Sequence, residues 1–375
     1  MKVLLAPDKF KGSLHADEVC DSVASAIRNV TEGVHISCVP MADGGEGTCE
    51  VLTRANGGHS KECSVVDPLG RPFTTSYGLS ASGKVAYVET AAASGLMVLD
   101  KTERNPLRTS TRGTGLMVRD AILTGAEEVV LGVGGSSTND GGIGMATVFG
   151  YRFLDSEGAE LQPSGAALLQ IRSIDYIRPA WMADVAVTIL CDVRNPLFGD
   201  QGAAHVFAPQ KGADPAAVRL LDDGLRNLAS IVEKQWGKNM NIEGGGAGGG
   251  IAAGAHVFLN GDLVPGVRYV IKQLNVEQRI RDSDLIISGE GALDLQSLSG
   301  KVVSGIAELC RRYEKPLVIF CGVNKLLPHE EKELGAAAIY PLVRAGVSGE
   351  TAMANAAALL NAEVRKCFAE QIFRH

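Results

Sequence analysis

Asp43 and Glu46 stand close together in Pro40-Met41-Ala42-Asp43-Gly44-Gly45-Glu46-Gly47-Thr48. Two hard oxygen ligands among glycines suit Mg²⁺ held beside phosphate. Val39 closes an apolar run before this segment, and Cys49-Glu50-Val51-Leu52 reads as a helix after it. A strand, a glycine-rich loop and a helix in that order present bare backbone N–H groups at a helix N-terminus, which is a seat for phosphate. Gly44, Gly45, Gly47 and Thr48 are the candidate contacts. The competing reading is a glycine turn with two solvated acids.

The same grammar recurs along the chain. The loops after three inferred strands are polar and carry glycine: Asp8 to Gly12, Asp43 to Thr48, and Gly289 to Gln296. Gly134 to Gly142 and Asp192 to Asn195 repeat it in a central region. Ligands of open parallel sheets bind outside the carboxyl ends of the strands. These loops therefore predict one carboxylate-rich cleft between two domains, with Lys9, Lys11 and Lys301 as its cations. Lys301 is expected in the first turn of a helix, where it opposes the dipole and a bound anion would relieve it. Singly, each lysine reads as a solvated surface residue.

The elements that must position these residues follow from periodicity. Val3 to Ala6 reads as a buried strand and His35 to Val39 as a second strand, separated by a helix that Ser13 would cap and that Val19, Cys20, Val23, Ala24 and Ile27 would bury. A second helix continues to Ala55. Lys61 to Val88 alternates and carries turn signals, which is antiparallel grammar. The mixed region beyond it predicts a helix over Thr114 to Leu123, strands at Val129 to Val133 and Val185 to Leu190, and a helix over Pro215 to Trp236. βα units return after Val270: a strand at Leu285 to Ser288 with Gly289 to Asp294 as its loop, and a helix over Lys301 to Arg312. Strands at Leu317 to Phe320 and Ala336 to Tyr340 and a final helix over Glu350 to Phe368 complete the chain. The expected fold is α/β. Residues 1–60 and 270–375 form a doubly wound parallel-sheet domain, and a mixed α/β domain, residues 61–269, is inserted.

Composition narrows the classes. The chain has 375 residues, 45% of them hydrophobic and 21% charged, so a folded protein with a sizeable core is expected. A net charge of −7 disfavours nucleic acid or an acidic membrane as partner. Eight cysteines without a CxxC pair read as reduced thiols of a cytoplasmic protein. The apolar start is too short for a signal peptide, and no stretch approaches a membrane span. No GxxxxGK[ST], protein-kinase HRD or DFG, HExxH or Cys/His cluster occurs. Gly244, Gly246 and Gly249 match GxGxxG only trivially, inside a glycine tract.

The chain strongly resembles the class I bacterial glycerate kinase family. Ala6 to Leu14, Pro40 to Thr48, Glu89 to Leu96, Arg104 to Leu107, Gly134 to Gly142, Cys191 to Leu197, Pro209 to Ala213 and Ser288 to Lys301 carry the resemblance, which runs from Met1 to about Val343. It implies a flavodoxin-like domain with an inserted α/β domain. It also implies ATP-dependent phosphorylation of D-glycerate, giving 2-phosphoglycerate or 3-phosphoglycerate, with Mg²⁺. The family usually has Arg where this chain has Ala292, and Ala-Gly-Ser where it has Cys321-Gly322-Val323. Losing the guanidinium removes a bidentate phosphate contact.

Phosphoryl transfer is mainly positioning and charge stabilisation. Asp192, at a strand end beside Asn195, is the candidate acceptor of the hydroxyl proton. Asp43, Glu46, Glu290 and Asp294 are the Mg²⁺ candidates. Lys9, Lys11 and Lys301 would offset phosphoryl charge, and Arg112, Thr138 and Asn139 would hold the glycerate carboxylate. Asp8, Gly135, Ser136, Asp140, Gly289 and Gly291 complete the expected substrate and phosphate contacts. The expected partners are small molecules, and a homodimer is compatible with the resemblance. Two rivals are a non-catalytic hydroxy-acid binder on the same scaffold and a nicotinamide oxidoreductase, which the absent fingerprint disfavours.

Overall fold

The computed structural model describes residues 1–182, 184–298 and 300–370. Ser299, within one resembling segment, and residues 371–375 of the expected first domain lie outside the described residues. The chain divides into two units, Met1–Asp43 with Val267–His375, and Gly44–Gly266.

The first unit holds a five-stranded sheet, all parallel, in the order Ala338–Pro341, Leu317–Asn324, Leu285–Leu293, Lys2–Leu5, His35–Cys38. Numbered along the unit this is 2-1-3-4-5 read from one edge, the flavodoxin-like winding. Both faces are buried, because alternate side chains of a strand point opposite ways. Val3, Leu5, Leu285, Ile287, Val318 and Phe320 share one core with Val19, Val23 and Ile27 of the helix Ala16–Val30 and with Leu360 and Val364 of the helix Ala356–Glu370. Leu4, Ile286 and Ile319 are also fully buried.

Three details differ from the sequence reading. Ser13 does not cap the first helix: its hydroxyl donates to Phe10 O at 3.0 Å, and the cap is His15. The Leu285 strand does not stop at Ser288; it stays in register with Leu317–Asn324 up to Leu293 opposite Asn324. Gly289 makes this passage tight, since a Cβ there would lie 2.2 Å from Phe320 O. The final helix is two, Gly349–Ala354 and Ala356–Glu370, broken at Asn355.

The second unit is built on a six-stranded mixed sheet ordered Asp262–Val264, Ala186–Leu190, Glu128–Gly132, Val85–Glu89, Pro72–Leu79, His59–Val66. The last three are antiparallel neighbours and the others are parallel. This is the switch of grammar the sequence carried. The helix Pro215–Trp236 begins on Asp214, whose carboxylate accepts Ala217 N–H at 2.7 Å. A hairpin, Tyr151–Leu154 with Ser173–Tyr176, lies outside the main sheet. The expected boundaries at 60 and 270 shift to 43 and 267. The helix Thr48–Ala55 packs on Pro72–Leu79 and Val85–Glu89, so residues 44–60 belong with the second unit.

Candidate active site

In the first unit the strand order reverses between Lys2–Leu5 and Leu285–Leu293, the switch point where such sheets bind ligands. Pairing continues beyond the first strand. Ala6 N donates to Ile287 O and Asp8 N to Gly289 O, each at 2.8 Å, and Ser288 Oγ donates to Ala6 O at 2.8 Å. Asp8 is thereby fixed beside Glu290. Gly291 lets the Lys9–Lys11 loop close over the strand, since a Cβ there would lie 2.9 Å from Lys11 N. Met41 N donates to Pro7 O at 2.9 Å, which brings the segment ending in Asp43 to the same strand ends.

The resulting carboxylates crowd one another. Burial pushes Asp8 up to about 7, with Asp43 and Glu290 adding to the rise; the Lys9 N–H, donated to Asp8 Oδ1 at 2.7 Å, and the Lys9 charge pull the other way. Burial also pushes Glu290 up to about 6, against the Ser297 hydroxyl and Lys301 and with Asp294 and Asp43. Lys301 Nζ stands 3.8 Å from Glu290 Oε2. Glu290 Oε1 is buried with no hydrogen-bond partner among the described residues. An orphaned buried carboxylate oxygen costs free energy, and opposite charge nearby would restore the ionised forms. A divalent cation fits this charge balance. Among the described residues no three acids are placed to hold a metal ion by themselves. That suits Mg²⁺, which takes one or two carboxylates and fills its shell with water and phosphate oxygens. Asp294 is turned partly inward on its own loop, its Oδ1 accepting Gln296 N–H at 3.0 Å.

Lys301 needs no bound anion to excuse its position. It is the N-cap of the helix Val302–Arg312 rather than a first-turn residue, with extended backbone, and Glu290 is its counter-charge.

In the second unit, Gly47 caps the helix Thr48–Ala55 with φ 92°. The expected bare N–H groups are not bare: those of Gly47 and Cys49 both donate to Glu89 Oε1 at 2.9 Å, and Gly44 N donates to Thr48 Oγ1 at 3.1 Å. The chain's own carboxylate occupies the anion seat. Glu46 is exposed beside it, and Gly45 lies between. Gly44 has φ 96°, and a Cβ there would lie 2.7 Å from Asp192 Oδ2. Asp192 thus abuts this loop at the end of Ala186–Leu190. Asn195, expected beside it, instead donates from Nδ2 to Gln201 O at 2.8 Å.

The Gly134–Gly142 loop likewise spends part of its polar groups on the fold. Asp140 is fully buried and accepts from Thr111 N and Oγ1, Gly142 N and Gly144 N at 2.8–3.1 Å, so it organises two helix starts. Ser136 Oγ donates to Gly248 O at 2.7 Å, and Gly135 O accepts Leu96 N–H at 3.0 Å. Thr138 Oγ1 and both amide atoms of Asn139 are buried and lack hydrogen-bond partners among the described residues. Arg112 does not join them: it is exposed and donates to Thr147 Oγ1 at 3.4 Å.

Comparison with known proteins decides the assignment. Residues 3–371 match the profile of the Glycerate kinase family. A glycerate kinase of Halalkalibacterium halodurans is 39% identical over 365 residues, covering 97% of this chain and 96% of that protein. A glycerate 2-kinase of Escherichia coli is 39% identical over 325 residues, 86% and 85% of the two chains. A crystal structure of a provisional glycerate kinase 2 from Salmonella typhimurium LT2 superposes with a TM-score of 0.86 at 35% identity, covering 99% and 98%. The chain belongs to the glycerate kinase family. It is an enzyme of the kinase class, and no described helix is long and apolar enough to cross a membrane.

Within this glycerate kinase fold, the two positions where a departure from the family pattern is expected lie side by side. Ala292 and Val323, those two positions, are register partners on adjacent strands, so the two form an apolar pair. Sequence reasoning also missed Glu89 and Lys211 as organisers, though both lie in resembling segments. Lys211 is 2% exposed and donates to Ser136 Oγ at 2.8 Å and Thr138 O at 2.6 Å. Burial lowers its ammonium to about 7, against the attraction of Asp140.

Proposed function

We propose that this enzyme transfers the γ-phosphoryl group of ATP to a hydroxyl of D-glycerate, with 2-phosphoglycerate as product. The observation that carries the reading is the crowded Asp8–Glu290 pair at the switch point, with its orphaned Glu290 oxygen, the Lys301 ammonium 3.8 Å from the same carboxylate, and Lys9 and Lys11 in the loop that follows the first strand. Such a set accommodates a metal-bound triphosphate. Asp8 and Glu290 would hold Mg²⁺, with Asp43, Asp294 and Glu46 as outer contributors through water. When bound, Mg²⁺ neutralises charge on the phosphate oxygens. Lys301 and Lys9 offset charge on the transferring group, and Asp192 accepts the proton of the attacking hydroxyl. Family membership and the glycerate 2-kinase relative support both the substrate and the position of the phosphate.

Phosphorus NMR of a reaction containing ATP, D-glycerate and Mg²⁺ tests this reading. The expected spectrum gains ADP and the 2-phosphomonoester. A 3-phosphomonoester would overturn the regiochemistry, and ATP that stays intact would overturn the reading itself.

A further inference from the structure

The second unit packs the glycine tract of residues 244–250 against the turn of residues 136–139. Ser136 Oγ donates to Gly248 O at 2.7 Å. Gly249 has φ 79°, and a Cβ there would lie 2.0 Å from Thr138 O and 2.8 Å from Asn139 Cα. Only glycine lets the tract approach so closely. Lys211 holds the same turn, its ammonium donating to Ser136 Oγ at 2.8 Å and to Thr138 O at 2.6 Å.

The turn so fixed carries polar atoms that the fold does not use. Thr138 and Asn139 are fully buried, and Thr138 Oγ1, Asn139 Oδ1 and Asn139 Nδ2 make no hydrogen bond among the described residues. Buried polar atoms are normally paired, and unpaired ones cost free energy. The charge beside them is positive. Lys211 is buried, and its bonds go to two neutral oxygens. Asp140, the carboxylate that attracts it, is already engaged by Thr111, Gly142 and Gly144. A buried ammonium without a paired carboxylate favours an anion nearby. The Asn139 amide adds direction, since Nδ2 can donate to a carboxylate oxygen and Oδ1 can accept from a hydroxyl.

We propose that Thr138 and Asn139 bind the carboxylate of the hydroxy-acid substrate, and that Lys211 is the positioning residue that fixes their turn and supplies its positive field. The assignment rests on the D-glycerate reading above and deepens it. It seats the carboxylate without Arg112, and the bound anion supplies the counter-charge that Lys211 lacks.

The test reads where the loss falls. Full-length enzyme is assayed for ADP release with D-glycerate and ATP varied in turn, and ligand-free protein is unfolded in urea. Thr138→Val keeps the side-chain shape and removes an unpaired hydroxyl. Its unfolding midpoint should match or exceed that of the wild type. Its KM for D-glycerate should rise roughly tenfold, the usual size for one hydrogen bond to a charged group, with KM for ATP nearly unchanged. Asn139→Asp, almost the same shape, sets a like charge against the carboxylate and should raise KM for D-glycerate further. Lys211→Met should move the same constant in the same direction. Thr138→Val decides alone should either of the other variants fail to fold. A Thr138→Val enzyme that loses stability along with activity would show that the hydroxyl serves the fold, and would overturn the proposal. An unchanged KM for D-glycerate would overturn it too, as would a loss carried by KM for ATP, which would make the anion a phosphate. In each of these cases the wild type still turns over and the kinase reading stands. Wild-type enzyme that leaves ATP intact beside D-glycerate would overturn that reading and this assignment with it.

Discussion

At the scale of single residues, buried charge sets what the site can do. Asp8 prefers its proton in the folded chain, at about 7 against an ordinary value of 3.8. Its stability contribution is therefore complete below the ordinary value and is lost as pH rises through about 7. Asp8→Asn should stabilise the protein at pH 8 by on the order of 2–4 kcal/mol, and the gain should shrink towards zero by pH 4. Urea unfolding of both proteins across that range measures it, and a gain independent of pH would show that the crowding is not electrostatic. The same substitution should depress turnover, because the proposed cation loses a ligand. Asp192→Asn should instead cost orders of magnitude in kcat while nucleotide affinity stays largely intact; near-normal turnover would refute the proton-acceptor role. Glu89 serves the fold: its carboxylate ties the Gly47 and Cys49 N–H groups. Glu89→Ala should destabilise by about 1.5–3 kcal/mol, the range for hydrogen bonds to a charged group, as read from the midpoint of chemical unfolding.

At the scale of elements, most of the regular structure was legible in the sequence, and the errors have physical causes. Pro215–Trp236 was read to the residue because proline marks its start and its buried positions repeat at helical spacing. The flavodoxin-like half was legible because its strands are short apolar runs between helical patterns. The Leu285–Leu293 strand is five residues longer than the expected Leu285–Ser288, because Gly-Glu-Gly looks like a turn. Here glycine instead lets two strands approach: Gly289 faces Phe320 O, and a backbone oxygen cannot swing aside. Gly289→Ala should destabilise the first unit by about 1–3 kcal/mol, the usual cost of overpacking, and should also lower activity by moving Glu290. A variant with wild-type stability would show that the strands can slide apart freely. The phosphate-cradle reading of Gly44 to Thr48 missed because the acceptor, Glu89, comes from a different strand. No local pattern could announce that long-range pairing, and the same is true of Lys211 reaching Ser136.

At the scale of the molecule, the chain is one polypeptide with a nested plan. The second unit begins and ends at the same place: a Cβ on Gly44 would lie 3.0 Å from the Cα of Gly266. A unit whose two ends touch, and which holds several hydrophobic clusters built from its own residues, has properties of an independently folding insertion. Its sheet, its hairpin and the Asp140 and Glu89 bonds all close within residues 44–266. The first unit is in the opposite situation. Its central strand pair joins Lys2–Leu5 to Leu285–Leu293, so it cannot form until the segment between has folded or has been closed as a loop. The entropy of closing that loop rises only slowly with its length, so a folded insertion with touching ends costs it little. A fragment of residues 44–266 expressed alone should therefore unfold cooperatively in urea and give a dispersed amide NMR spectrum. Residues 1–43 and 267–370 joined by a short glycine-serine linker should recover the five-stranded sheet without catalytic turnover. A fragment that stays collapsed without a cooperative transition would show that the second unit draws its stability from outside its own boundaries.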